Sequence, residues 1–128
     1  MGAIVVVTTV GEEEQALLIA RELVARRLAA CVNVVPGMRS VYRWQGKICR
    51  DTEYLLLVKT LAGEYEAVAA AIRELHSYEL PEILSFAVGQ GDERFLAWIA
   101  DSVDKSKPVD IEEEEEQLAG IDLDDSSF

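Results

Sequence analysis

Two apolar runs that fail to alternate with polar residues place the tightest limit on how this chain can fold. Ala3-Ile4-Val5-Val6-Val7-Thr8-Thr9-Val10 is β-branched almost throughout and stops at Gly11, and Tyr54-Leu55-Leu56-Leu57-Val58 is apolar without a break. A strand with one wet face shows period-two alternation, so these runs predict strands hidden from water on both sides. Helices packed on one face of a sheet would leave the other face uncovered. The simplest cover is a second copy of the chain, because an open apolar sheet face is an aggregation hazard.

The segments between the runs complete the plan. Glu12-Glu13-Glu14 put negative charge where a helix begins, with Thr9 as a candidate cap, and Ala16, Leu17, Ala20, Leu23, Val24 and Leu28 mark one face of a helix running to about Ala29. Cys31 to Val35 opens a second strand. Pro36-Gly37 interrupts it, which demands an edge position or a bulge, and it resumes through Trp44. Gln45-Gly46 is a turn signal, and Ile48 to Thr60 forms the returning strand of a long hairpin. A second helix spans about Leu61 to His76 and Pro81 prevents its continuation. Ile83 to Val88 is a fourth strand, and Asp92-Glu93-Arg94 opens a short third helix. The order βαββαβ with a terminal helix predicts an α+β, ferredoxin-like antiparallel sheet with its two main helices on one face.

Of the 128 residues, 24 are acidic and 12 are Lys or Arg, for a net charge of −12. From Asp104 onward ten acids face only Lys105 and Lys107, leaving −8 there and −4 on residues 1–103. The reading is therefore one domain, residues 1–103, and an acidic tail, residues 104–128, expected to be mobile. A domain with that balance and no clustered Lys and Arg excludes general nucleic-acid binding. No run of eighteen apolar residues and no signal-peptide pattern occurs, so no membrane partner and a cytoplasmic location are expected. Cys31 and Cys49 lack any C-x-x-C partner and read as small hydrophobes in the hairpin strands.

Four segments carry a family resemblance: Arg27 to Asn33, Ser40 to Lys47, Glu53 through Thr60, and His76-Ser77-Tyr78-Glu79-Leu80-Pro81-Glu82-Ile83. In order and spacing they resemble the CutA divalent-cation tolerance family, over about residues 3–103. The resemblance implies a fold similar to that of PII signalling proteins, a tight homotrimer assembled through the extended hairpins, clefts between subunits, and a link to copper and other divalent cations. Copper ligands of a bacterial member, a cysteine and two adjacent histidines, match Thr8, Leu75 and His76 here. A hydroxyl and an isobutyl group do not replace a thiolate and an imidazole as copper donors.

The candidate metal ligands are therefore His76, the sole histidine, with Glu79 and Glu82, a set suited to a weakly held divalent cation such as copper or zinc. For a cleft ligand the candidates are Lys59, Tyr78 and Trp44. Lys59 closes an apolar strand and needs a partner, either Glu53, Glu79 or Glu82, or an anionic metabolite or nucleotide in a PII-like sensor. Neither G-x-S-x-G, Walker A, H-E-x-x-H nor G-x-G-x-x-G occurs, so catalysis is not expected. A protein partner, with the chain as an assembly scaffold, is the remaining reading.

Overall fold

The computed structural model describes residues 2–108; Met1 and residues 109–128 lie outside the described residues. Strand β1 (Ala3–Val10) leads into helix α1 (Glu13–Ala25). Strands β2 (Cys31–Trp44) and β3 (Lys47–Leu61) form the hairpin, and a single 3₁₀ turn (Ala62–Glu64) opens helix α2 (Tyr65–Leu75). Strand β4 (Leu84–Ala87) and helix α3 (Glu93–Ser102) follow. The four strands lie in the order β2-β3-β1-β4 with every neighbouring pair antiparallel. This is the ferredoxin-like α+β arrangement expected from the element order.

Burial follows from the two-residue period of a strand. Ile4, Val6 and Val10 on β1 and Leu56 and Val58 on β3 are buried against Ile19 and Leu23 of α1 and Val68 and Ile72 of α2. Their neighbours Val5, Val7, Leu55, Leu57 and Lys59 point the other way and are only partly covered. Helix α3 crosses part of that second face, since the Lys59 ammonium lies 5.7 Å from the centre of the Phe95 ring. Leu84 and Phe86 of β4 remain 52% and 55% exposed in the single subunit. Alternation is thus present in burial although absent in residue type, which leaves an apolar, half-open sheet face.

Three local expectations are corrected. Thr9 caps nothing: it is the seventh residue of an unbroken strand, and α1 starts from Glu12 without a side-chain cap. Helix α1 ends at Ala25, not near Ala29, because Arg27 enters the left-handed region at φ 60° and the Leu28 and Ala29 N–H groups both turn back to the Leu23 carbonyl. Such a stop usually uses glycine, so no residue type announced it. Residues 104–108, read with the tail, pack on the body. Arg27 donates to the Lys107 and Pro108 carbonyls, each at 2.9 Å, and Lys105 donates to the Arg27 carbonyl and pairs with Glu64. The rest of the acidic run lies outside the described residues.

The Thr8 hydroxyl is buried without a hydrogen-bond partner, on the face that carries the core. Pro36-Gly37 forms the expected bulge, with the β2–β3 register shifting between Val35 and Met38. Among the described residues no helix is long and apolar enough to cross a membrane.

Candidate functional site

Beyond the bulge, the hairpin leaves the sheet. Strand β1 pairs with β3 only from Tyr54 to Leu61, so the pairs from Met38–Glu53 to Trp44–Lys47 form a two-stranded ribbon with no third strand among the described residues. Gln45 and Gly46 both have positive φ, at 51° and 78°, the signature of the two-residue turn whose twist matches a hairpin. That turn sets the register: Ser40 faces Asp51, Tyr42 faces Cys49 and Met38 faces Glu53. Directly paired residues share a face, so Ser40, Tyr42 and Trp44 stand on the same side as Asp51 and Glu53.

The loop from His76 to Ile83 closes over this side. His76 holds it in place with both ring nitrogens. The Tyr78 N–H donates to Nδ1 at 3.0 Å, so the proton sits on Nε2, which lies 2.7 Å from the Thr9 carbonyl oxygen and donates to it. The loop then delivers Tyr78, whose hydroxyl donates to Glu53 Oε2 at 2.7 Å while Ser40 Oγ donates to Oε1 at 2.7 Å. Glu53 is only 6% exposed, and these two hydroxyls satisfy a carboxylate that would otherwise be costly to bury. Gly11 permits the approach, since a Cβ there would stand 3.1 Å from the Tyr78 hydroxyl oxygen. Tyr42 donates similarly to Asp51 across the ribbon.

Ribbon and loop enclose a groove of about 700 Å³. Its lining carries four carboxylates, from Asp51, Glu53, Glu79 and Glu82, against one guanidinium, from Arg43, with Tyr42, Trp44 and Tyr78 as aromatic surfaces. Both tyrosines that hold carboxylates resist ionisation. Tyr78 is pushed well above the usual phenol range, first by burial and then by its bond to Glu53, and Tyr42 is pushed up to about 12, first by its bond to Asp51. Since the folded state binds these protons more tightly, their contribution is complete below about pH 10 and is lost as pH rises toward 12 and beyond. Urea titrations are therefore expected to show a midpoint constant from pH 8 to about 9.5 that falls steeply above pH 10. In Tyr42→Phe/Tyr78→Phe that fall should flatten, and an unflattened fall would assign the alkaline sensitivity elsewhere.

Of the residues singled out in the sequence, Trp44, Tyr78, Glu79 and Glu82 come together on the groove. Lys59 and His76 are not part of its lining. Lys59 sits opposite Val5 and Cys31 at the far end of β3, and its contact is the Phe95 ring rather than Glu53, Glu79 or Glu82. His76 is engaged in holding the loop. Among the described residues no three His, Cys, Asp or Glu side chains converge as a metal-holding group, so a single subunit does not gather His76, Glu79 and Glu82 into one ligand set. Cys31 and Cys49 are free thiols. Ser40 and Asp51 were not anticipated. The Gln45-Gly46 turn could have found them, because a two-residue turn fixes which residues pair across the ribbon.

The chain matches the family model for the CutA1 divalent ion tolerance protein over residues 4–102. A divalent-cation tolerance protein CutA from Thermus thermophilus is 45% identical over 98 residues, which are 77% of this chain and 95% of that one. A CutA homolog from Xenopus laevis is 46% identical over 85 residues, 66% of this chain and 56% of the longer relative. The crystal structure of CutA from Xylella fastidiosa superposes with a TM-score of 0.79 at 39% identity, covering 81% of this chain and all of that one.

Proposed function

Because the chain belongs to the CutA1 divalent ion tolerance protein family, we propose that it serves divalent-cation tolerance in the cytoplasm as a homotrimer, holding metal weakly in the carboxylate-lined groove and running no catalytic cycle. The observation that carries the reading is the groove itself, whose lining includes the exposed carboxylates of Asp51, Glu79 and Glu82. Oxygen donors on the loop between Leu75 and Leu84 suit a weakly held cation such as zinc, and they suit copper(I) poorly. In this reading His76 positions the loop that presents Glu79 and Glu82. The trimer is supported by the apolar side chains of Leu84 and Phe86 that the single subunit leaves in water. An anionic metabolite or nucleotide in the same groove would meet four carboxylates and one arginine, so the sensor reading is not carried forward.

Calorimetric titration with zinc, copper, ATP and bicarbonate tests the reading. Zinc is expected to give a saturable heat that weakens about tenfold, near 1.4 kcal/mol, in Glu79→Gln/Glu82→Gln. ATP and bicarbonate are expected to give none. A zinc isotherm unchanged by the double substitution would remove the groove from the proposal.

A further inference from the structure

The groove offers more than a metal ion uses. A divalent cation gains from donors packed close together, yet among the described residues no three carboxylate, thiol or imidazole groups converge as a metal-holding group. Apolar walls give such an ion nothing. Here the acidic lining is interspersed with Tyr42, Trp44 and Leu80, which remain 41%, 37% and 70% exposed although each carries a large apolar surface. Aromatic and aliphatic groups left in water inside a cavity of about 700 Å³ mark a site for a partly apolar small molecule.

The charges stand on separate walls. Asp51 is on the ribbon, two residues along β3 from Glu53 and therefore about 7 Å from it, whereas Glu79 and Glu82 come from the loop that Tyr78 ties to Glu53. Glu53 is committed to its two hydroxyls. The other three carboxylates are exposed, and among the described residues none of them pairs with a cation. Against them the lining sets one guanidinium, from Arg43, so its net charge stays negative.

A compact quaternary ammonium would use the rings but only one of the separated carboxylates. The better match carries positive charges at intervals, joined by methylene segments that lie on aromatic faces, where an ammonium also meets the ring quadrupole. We propose that the groove binds a linear aliphatic polyamine, with its ammonium groups paired to Asp51 on one wall and to Glu79 or Glu82 on the other, and its chain laid across Trp44 and Tyr42. Polyamine and metal share the groove in this account, and each is read by its own titration.

Calorimetry on the full-length chain with putrescine, spermidine and magnesium tests the assignment. Putrescine and magnesium carry the same charge, so their difference reads the apolar walls: putrescine is expected to bind at least tenfold more tightly, and spermidine more tightly again. Glu79→Gln/Glu82→Gln and Asp51→Asn are each expected to weaken spermidine at least fivefold. Trp44→Ala should weaken it about fivefold, while Trp44→Phe, which keeps a ring, stays within twofold of the parent. Two changes away from the groove should leave the isotherm as it is: Glu13→Gln/Glu14→Gln at the start of α1, and glutamine at every position from Glu112 to Glu116. If Trp44→Ala lost its far-ultraviolet circular dichroism, Asp51→Asn and the comparison of putrescine with magnesium would decide. Equal affinity for those two ions would leave charge alone as the attraction and overturn the proposal. So would spermidine binding lost only with the Glu112 to Glu116 charges, which would place it on the tail. A zinc heat without a polyamine heat would remove this ligand and keep the metal reading, and the reverse would remove the metal reading alone.

Discussion

A chain with alanine at Leu56 is expected to unfold with about 3 kcal/mol less free energy than the parent. Leu56 is wholly buried on β3, paired with Thr8 of β1 on one side and Val34 of β2 on the other. It therefore sits where the two interior strands meet the helices, against a cluster that includes Ile19 and Ile72. Truncation to alanine removes three carbon atoms from a region with rigid neighbours on every side, so a cavity term adds to the lost transfer free energy. Urea denaturation followed by circular dichroism should show a lower midpoint with an unchanged slope. A change below about 1 kcal/mol would mean that this core is loosely packed and able to collapse into the space.

The second large effect is expected on the opposite face of the sheet. Lysine at both Leu84 and Phe86 should leave each subunit folded, because these side chains are more than half exposed in it, yet raise the dissociation constant of the assembly by at least 100-fold, about 2.7 kcal/mol. Two apolar groups each contribute about 1.5 to 3 kcal/mol when buried against a neighbour, and a lysine in the same place must shed its hydration without a partner. Dilution series by light scattering would read this directly. An assembly as tight as the parent's would show that β4 lies outside the subunit contacts.

Much of the fold was legible because local chemistry and tertiary structure agree. Gly11 ends the first strand, Pro36 marks the bulge, Gln45-Gly46 makes the turn, and Asp92 caps α3 by accepting from the Phe95 N–H at 3.0 Å. The end of α1 was not legible, because it depends on an arginine in a conformation that arginine seldom adopts. The site was legible in part. Trp44, Tyr78, Glu79 and Glu82 come from two segments whose approach is set by the loop crossing the end of β1. The role of His76 was hidden for the same reason: its ring reaches a backbone carbonyl 67 positions away, a contact that no pattern in the helix reveals. Lys59 was expected near the carboxylates because a charge at the end of an apolar run needs compensation. The fold supplies that compensation from an aromatic ring on α3 instead.

Groove and apolar face are connected through the ribbon. Its length puts Asp51 and Tyr42 beyond the four-stranded part of the subunit's own sheet, where β1 no longer pairs with β3. The loop held by His76 supplies one wall, and the exposed second wall is what a neighbouring subunit would complete. Among the described residues of a lone subunit no three His, Cys, Asp or Glu side chains converge as a metal-holding group.

The uncovered side of the sheet is expected to be shielded by identical subunits, and the mass of the full-length protein in dilute buffer reads this without any substitution. Analytical ultracentrifugation at micromolar concentration should return a single species of roughly three times the 14.2 kDa chain. A folded, monodisperse species at the mass of one chain would contradict it.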